Sequence, residues 1–314
     1  MPHDHQHDHD DHDHHGHAPA RFGTAFALGA VLNIGLVAAQ IVYGIAANSM
    51  ALLADAAHNA GDVLGLLLAW AAFVLGRRLP SARRTYGWGR STILAALANA
   101  VVLLISVGAI AVAAVERLVA PSPVAGTTVI WVAGAGIVIN GFTAVLFTGG
   151  HDARGHEDLN IRATFLHMAG DAAISAGVVL AAIAILLTGR LWIDPAASLA
   201  IAALITVTTW GVLRDAMNLA MDGVPARIAQ AEVETWLRNL PGVMEVHDLH
   251  IWGLSTTEAA LTAHLVRAET VDDQELIRAA SHGLAARFRI GHATLQVETW
   301  AVAESCRLRP ADIV

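Results

Sequence analysis

Six long apolar segments follow one another along the first two thirds of the chain and predict six membrane-spanning helices. They cover about residues 22–46, 49–75, 92–119, 127–148, 161–188 and 191–213. A helix crosses a bilayer with about 20 predominantly apolar residues, and every segment reaches that length. We expect Asp194 to cap the sixth helix, because Pro195 is suited to the first helical position.

The pattern changes after residue 221, where short polar and apolar stretches alternate. Residues 226–240 and 272–288 have the spacing of helices, and residues 243–254, 258–267 and 293–300 alternate like strands. This order predicts a small α+β domain of αββαβ type, similar to a ferredoxin-like unit. The predicted organisation is an all-α membrane domain at 21–221, the αββαβ domain at 222–306 and a tail at 307–314.

The first 20 residues, MPHDHQHDHDDHDHHGHAPA, contain eight His and five Asp and lack the apolar side chains that a core needs. We expect them to be disordered. Imidazole and carboxylate groups together suit divalent zinc, copper, nickel or cobalt. Two interpretations remain open for this tail: weak capture of metal at several sites, or a solvated segment without a metal role.

Composition and charge support a protein that crosses a bilayer several times. The chain is 55% hydrophobic and 15% charged, whereas soluble proteins carry about 25% charged residues. The loop after the second segment, GRRLPSARRTYGWGR, is rich in Arg, which marks the cytoplasmic side. Six spans then place both termini in the cytoplasm, and the expected location is the inner or plasma membrane. The acidic balance after residue 223 argues against nucleic acid as a partner.

Ionisable residues lie near the middle of two apolar segments, where each costs at least about 2.5 kcal/mol. The second segment has His58 and Asp62, and the fifth repeats that spacing with His167 and Asp171. Residues four apart share one face of a helix. The two segments run in opposite directions and reach overlapping depths, so both pairs can meet. Two nitrogens and two oxygens form a set suited to tetrahedral Zn²⁺.

Asp55 lies one turn before His58 in the same segment. Three roles stay open for its carboxylate: it accepts a hydrogen bond that orients His58, it carries a proton, or it holds helices together. The polar residues within other segments, Asn33, Gln40, Asn99 and Asn140, are expected to form hydrogen bonds between helices.

Several stretches resemble the cation diffusion facilitator family, in its zinc-transporting branch of metal/proton antiporters. They are SMALLADAAHNAGD, RRTYGWGRSTILAALANA, EDLNIRATFLHMAGD, PGVMEVHDLHIWGL and HATLQVE. The resemblance implies six transmembrane helices, a cytoplasmic metallochaperone-like domain and a homodimer. It places the transport ligands on the two His–Asp pairs. In this family, a His–Asp pair in both spans is associated with transport of Zn²⁺. Cd²⁺ and Co²⁺ are alternative cargos.

The resemblance also implies a metal site in the C-terminal domain. His247 and His264 match positions that bind metal in relatives, and Glu298 lies near the last such position. Gln296 stands where some relatives carry His. His250, His282 and His292 are further candidates. Cys306 is the sole cysteine, so an intramolecular disulfide and a multi-cysteine zinc site are excluded.

The expected function is export of divalent cations from the cytoplasm, in exchange for protons that enter through the same alternately opening site. This is a transport function and not an enzymatic one. Two alternatives remain at this stage. One is a zinc-sensing or scaffold membrane protein with a degenerate site. The other is an intramembrane metallohydrolase, although the His-Glu-x-x-His motif does not occur in the sequence.

Overall fold

The computed structural model describes residues 24–148 and 159–309, with side chains for residues 29–144 and 167–309. Its first six elements are the long helices α1 (Thr24–Ala46), α2 (Met50–Gly76), α3 (Ser91–Val119), α4 (Gly126–Thr148), α5 (Leu159–Thr188) and α6 (Ile193–Ala220). Each contains a stretch long and apolar enough to cross a membrane. The prediction of six spanning helices is therefore confirmed. The His-rich tail lies outside the described residues.

The six helices pack into a bundle in which α2 contacts α1, α3, α5 and α6. Helix α3 also packs along α6, and α4 packs along α5. Gly136 lets α4 approach α5 closely, because a Cβ atom there would lie 3.0 Å from the Ser175 hydroxyl. Large apolar side chains cover the outside of the bundle, as a lipid-facing surface requires; Trp131, Val138 and Val207 are examples.

Helix α6 is longer than the sequence pattern predicted. It begins at Ile193 and continues to Ala220, so Arg214 lies within the helix and not after its end. The apolar window ends near residue 213 because Arg214 and Asp215 are charged. Both side chains are exposed, and the helix continues past them.

Asp194 has a different role from the one predicted. The residue that precedes α6 is Trp192, and Asp194 lies in the first turn with its carboxylate directed at the start of α2. It accepts hydrogen bonds from the Ser49 hydroxyl at 2.5 Å and from the Met50 amide at 2.6 Å. A buried carboxylate thus satisfies donors at the positive end of a neighbouring helix. The prediction placed the cap on the helix that contains Asp194, whereas the donors belong to the start of α2.

Arg117 secures the same end of the bundle. Its guanidinium donates to the Asn48 backbone oxygen at 2.6 Å and to the Asn48 side-chain oxygen at 2.7 Å. Asn48 itself has a positive φ of 55° in the turn between α1 and α2, a conformation that Asn tolerates better than most residues. Together with Asp194, these contacts tie α2, α3 and α6 at the end opposite the Arg-rich loop.

Replacing Asp194 with Ala should destabilise the bundle by about 1.5–3 kcal/mol, because charged hydrogen bonds to buried donors are lost. Thermal unfolding in detergent measures the effect as a lower midpoint. Asp215→Ala is the matched control, since Asp215 is an exposed carboxylate on the same helix. Equal midpoints for the two variants would show that the Asp194 contacts contribute nothing to stability.

The C-terminal domain has the predicted αββαβ order, with one extra short helix at its end. Its elements are α7 (Gln230–Arg238), β1 (Val243–Gly253), β2 (Ala259–Arg267), α8 (Asp273–Phe288), β3 (His292–Glu298) and α9 (Trp300–Ser305). The sheet order is β1–β2–β3, with β1 antiparallel and β3 parallel to β2. Leu261 and Leu265 of β2 pack in the buried core with Val233 and Leu284 of the two longer helices.

The C-terminal domain rests against the Arg-rich end of the bundle. Thr256 donates its amide to the Thr92 hydroxyl at 3.1 Å, and Arg90 forms an ion pair with Asp222. A Cβ on Gly89 would lie 2.9 Å from the Leu254 carbonyl oxygen, so the two parts approach closely there. The loop after α2 therefore connects the spanning helices to the domain.

Candidate metal sites

Helices α2 and α5 bring the two predicted His–Asp pairs together inside the bundle. His58 Nε2 lies 3.0 Å from Asp171 Oδ1 and 3.8 Å from Asp62 Oδ2. His167 Nε2 lies 3.6 Å from Asp62 Oδ2 and 3.8 Å from Asp171 Oδ2. Each histidine therefore faces both carboxylates, one from its own helix and one from the other.

These separations are close to those of a tetrahedral metal site. Zinc bonds of about 2.0–2.2 Å to nitrogen and oxygen place ligand atoms about 3.4 Å apart. Ligand atoms of His58, Asp62 and Asp171 lie within 4.8 Å of one another. The ring of His167 stands farther off, with its centroid 6.3 Å from that of His58. Three ligands are thus gathered, and the fourth faces them from the edge of the site.

Exposure differs strongly between the two ends of the site. The side chains of Asp171 and His58 are 4% and 13% exposed, whereas those of Asp62 and His167 are 30% and 48% exposed. Asp62 and His167 are the members of each pair that lie nearer the Arg-rich end of the bundle. The two more exposed members of the set are therefore the ones nearer the loop that follows α2.

Asp55 lies fully buried at the centre of a polar cluster next to the four ligands. Its Oδ2 accepts hydrogen bonds from Gln40 Nε2 at 2.6 Å and from the Ser175 hydroxyl at 2.9 Å. Asn59 donates to Gln40 Oε1 at 3.0 Å and approaches Asp55 Oδ1 at 3.4 Å. Within the described residues His58 Nδ1 has no hydrogen-bond partner, so this imidazole does not donate to Asp55.

The cluster around Asp55 includes two residues that sequence reasoning did not single out. Asn59 follows Asp55 by four positions, and Ser175 follows Asp171 by four positions, so each lies one turn along the same helix face. This spacing is a signal that could have identified both. Gln40 forms the expected bond between helices, here linking α1 to α2, whereas the side-chain amide of Asn140 has no hydrogen-bond partner among the described residues.

A second group of possible ligands lies in the C-terminal domain. His247 of β1 and His264 of β2 are direct partners across the sheet, with ring centroids 5.0 Å apart. Glu298 at the end of β3 lies 2.8 Å from His264 Nδ1 and 3.7 Å from His247 Nε2. Cys306, which no sequence argument connected with these residues, has its sulfur 3.7 Å from His264 Nδ1.

The other candidate histidines of this domain lie elsewhere. His250 is 2.9 Å from Asp248 Oδ1, His282 is exposed on α8, and His292 packs edge-on against Tyr86. A bulge between His247 and His250 interrupts the strand alternation, with Asp248 at a positive φ of 50°. Simple alternation therefore does not describe which way these side chains point.

Glu245 lies behind His247, on the side away from Glu298. Its carboxylate is 3.6 Å from His247 Nδ1 and accepts two hydrogen bonds from Arg309, at 2.9 and 2.8 Å. The Arg309 hydrogen bonds hold the pKa of Glu245 below its ordinary value. Glu245 is therefore ionised at neutral pH and available as an acceptor for an imidazole N–H.

The fold and the first site define a class of protein: a multi-pass membrane protein in which two spanning helices bring two histidines and two carboxylates together as candidate metal ligands. The chain belongs to the cation efflux family. The family model for the cation efflux transmembrane domain matches residues 26–219, and the model for the cytoplasmic domain of cation efflux proteins matches residues 225–300. The protein is thus a metal cation efflux transporter, and the two models match its spanning helices and its C-terminal domain in turn.

Three characterised relatives are similar along most of their length. The metal cation efflux system protein CzcD of Cupriavidus metallidurans is 35% identical, covering 83% of this chain and 81% of the relative. The cadmium, cobalt and zinc/H(+)-K(+) antiporter of Bacillus subtilis is 33% identical, covering 86% and 87%. The zinc transporter ZitB of Escherichia coli is 34% identical, covering 85% and 84%. All three are transporters.

Proposed function

We propose that this transporter exports Zn²⁺ from the cytoplasm in exchange for protons, with Cd²⁺ and Co²⁺ as alternative cargos. The observation that carries the proposal is the meeting of two His–Asp pairs from α2 and α5, with distances between ligand atoms of 3.0–3.8 Å. Two imidazoles favour zinc over the hard cations Mg²⁺ and Ca²⁺. The names of the relatives from Escherichia coli and Bacillus subtilis support this choice of cargo.

Proton exchange follows from the contact between His58 and Asp171. A proton on His58 Nε2 is held by the Asp171 carboxylate at 3.0 Å. Zinc needs the same nitrogen without its proton and the same carboxylate ionised, so zinc and this proton exclude each other. Imidazole exchanges protons readily near neutral pH. A site that opens to each side in turn therefore couples outward zinc movement to inward proton movement.

The uneven exposure of the ligands indicates the direction of access. Asp62 and His167 form the open side of the site and lie toward the Arg-rich loop, which the charge rule places in the cytoplasm. We therefore propose that this structure has the site open inward, with both termini cytoplasmic in a plasma or inner membrane. Release to the other side requires parting of the contacts around Asn48 and Asp194.

We also propose that the chain forms a homodimer and that its cytoplasmic domain holds a metal ion. The family matched by residues 225–300 is named for a dimer domain of zinc transporters. His247 and His264, with Glu298, fit a metal because buried atoms there lack partners: His247 Nε2 and Glu298 Oε2 form no hydrogen bond with any described residue. A bound Zn²⁺ would supply the missing positive partner for these groups.

Zinc flux in proteoliposomes under imposed pH gradients tests the antiport. An outward proton gradient of one unit should change the zinc accumulation ratio about tenfold for each proton exchanged, since one pH unit corresponds to about 1.4 kcal/mol per proton. A protonophore should abolish the difference. Zinc flux that does not respond to the pH gradient would instead indicate a channel and contradict the proposal.

A further inference from the structure

Cys306 lies at the end of α9, next to the cluster formed by His247, His264 and Glu298. Its sulfur is 3.7 Å from His264 Nδ1. Each of the four residues offers one possible ligand atom, and all of these atoms lie within 4.8 Å of one another. The four come from β1, β2, β3 and the segment after α9, so a single chain supplies the whole set.

The cluster contains buried polar atoms that lack a partner. His247 is 8% exposed and Glu298 is 4% exposed; in the part of the chain that the structure describes, neither ring nitrogen of His247 forms a hydrogen bond, nor does Glu298 Oε2. Leaving a buried polar group unsatisfied costs about 1–3 kcal/mol. His247 Nε2 and Glu298 Oε2 lie 3.7 Å apart, a separation that a cation between them would explain.

The distances fit a tetrahedral ion with one sulfur ligand. Zinc bonds of about 2.3 Å to sulfur and about 2.0–2.1 Å to nitrogen place those two ligand atoms about 3.6 Å apart. The measured separation between Cys306 sulfur and His264 Nδ1 is 3.7 Å. Glu298 Oε1 lies 2.8 Å from His264 Nδ1 and Glu298 Oε2 lies 3.7 Å from His247 Nε2, so the carboxylate is also within reach of an ion that both imidazoles bind.

Both imidazoles have a carboxylate on the side that faces away from the cluster. Asp248 Oδ2 is 3.5 Å from His264 Nε2, and Glu245 Oε1 is 3.6 Å from His247 Nδ1. Metal-binding histidines usually donate their second ring N–H to such a partner, which fixes the orientation and the tautomer. The nitrogens left for an ion are then His264 Nδ1 and His247 Nε2, the two that face Glu298.

Gln296 of β3 does not complete the ligand set, so we look for the fourth ligand outside the sheet. It is the register partner of His264 on β3, but its amide donates to Glu298 Oε1 at 2.6 Å and supplies no ligand. The segment that follows α9 folds back instead. Arg309 holds this segment through Glu245 on β1 and stacks over Trp300, with 4.8 Å to the ring centroid.

We propose that Cys306, as a thiolate, is the fourth ligand of a metal ion bound by His247, His264 and Glu298. The inference rests on the proposed metal binding by the cytoplasmic domain. Metal binding releases the thiol proton to solvent as the metal–sulfur bond forms. A thiolate in the set selects Zn²⁺, Cd²⁺ and Co²⁺ over Mg²⁺ and Mn²⁺. The site is thereby chemically different from the nitrogen and oxygen set of the membrane site.

Cobalt absorption of the full-length protein in detergent tests the thiolate ligand. Thiolate bound to Co²⁺ gives a charge-transfer band in the near ultraviolet, whereas nitrogen and oxygen ligands do not. Because Cys306 is the sole cysteine of the chain, the band reports on this position alone, whatever the His-rich tail binds. We expect the band in the wild type, its loss in Cys306→Ser, and its retention in Asp171→Asn, which alters the membrane site.

Alkylation of the single thiol gives an independent readout. Zn²⁺ should slow the reaction of Cys306 with iodoacetamide by at least about tenfold, because a bound thiolate is not free to attack, and EDTA should restore the rate. Asp248→Asn should weaken this protection, raising the zinc concentration needed by about 10–100-fold. Asn suits the positive φ at this position, so the backbone of the bulge is retained.

Two results distinguish the role of Cys306 as a ligand from metal binding by the cytoplasmic domain. If His247→Ala binds one Zn²⁺ fewer per chain than wild type but wild type shows no thiolate band, the domain binds metal without Cys306. If His247→Ala binds as much zinc as wild type, the domain site itself is refuted. A cobalt thiolate band that persists in Cys306→Ser, or equal alkylation rates with and without zinc, would overturn the role of Cys306.

Discussion

Asp171→Asn should lower the zinc transport rate by at least about 100-fold. Asp171 is the most buried of the four membrane ligands, at 4% exposure, and its carboxylate faces both His58 and His167. The amide has nearly the same shape but no negative charge. Replacing groups that merely orient a ligand already costs about 10–100-fold in metal affinity or activity, so loss of a charged ligand should cost more. Initial zinc uptake by proteoliposomes measures the effect.

Asp215→Asn is the matched control for this variant, because it removes an exposed carboxylate from a spanning helix outside the site. It should transport at the wild-type rate. Both variants should elute with the wild-type protein in size-exclusion chromatography, which separates loss of a ligand from loss of the fold. Wild-type transport by a well-folded Asp171→Asn protein would remove Asp171 from the transport site.

The features that the sequence predicts best are those that repeat locally. Apolar length defines the six spans, and the spacing of His58 and Asp62, repeated in His167 and Asp171, identifies one face on each of two helices. The bends and tilts of a bundle hardly alter which residues share a face. This is why pairs 109 positions apart in the sequence could be assigned to one site before their distances were known.

The features that the sequence does not predict depend on contacts between distant elements. Asp194 caps α2 across 144 positions, and nothing in its own helix signals that role. Cys306 reaches His264 because the chain turns back after α9, a path set by Arg309 and Glu245. The end of α6 was misplaced for a simpler reason: charged residues end an apolar window, but they do not end a helix.

The two proposed metal sites differ in the way a transporter requires. The membrane ligands have one open side and one exposed histidine, His167, so a cargo ion can enter and leave. The cluster of the cytoplasmic domain includes two buried residues, His247 and Glu298, has carboxylates behind both histidines and draws on four separate segments. The first arrangement suits exchange with protons, and the second suits an ion that stays bound and holds the end of the chain to the sheet.

Asp55→Ala should be the most destabilising single change in the bundle. The Asp55 carboxylate accepts from Gln40 of α1 and Ser175 of α5 while it belongs to α2, and all three residues are fully buried. Removing it leaves two buried donors without an acceptor, at about 1–3 kcal/mol each, in addition to a cavity. We expect a large decrease in the midpoint of thermal unfolding in detergent. Transport should decrease in proportion to the amount of folded protein that is lost.

Asp55→Asn separates this structural role from proton carriage. The amide oxygen can still accept from Gln40 and Ser175, but the residue no longer titrates. If Asp55 acts by joining helices, the Asn variant should unfold near the wild-type temperature and keep the response of zinc accumulation to the pH gradient. If it carries the coupled proton, the Asn variant should fold but lose that response, and the structural assignment is then incomplete. Because we propose that the proton exchanged for zinc is held between His58 and Asp171, whose Nε2 and Oδ1 lie 3.0 Å apart, we expect the first result.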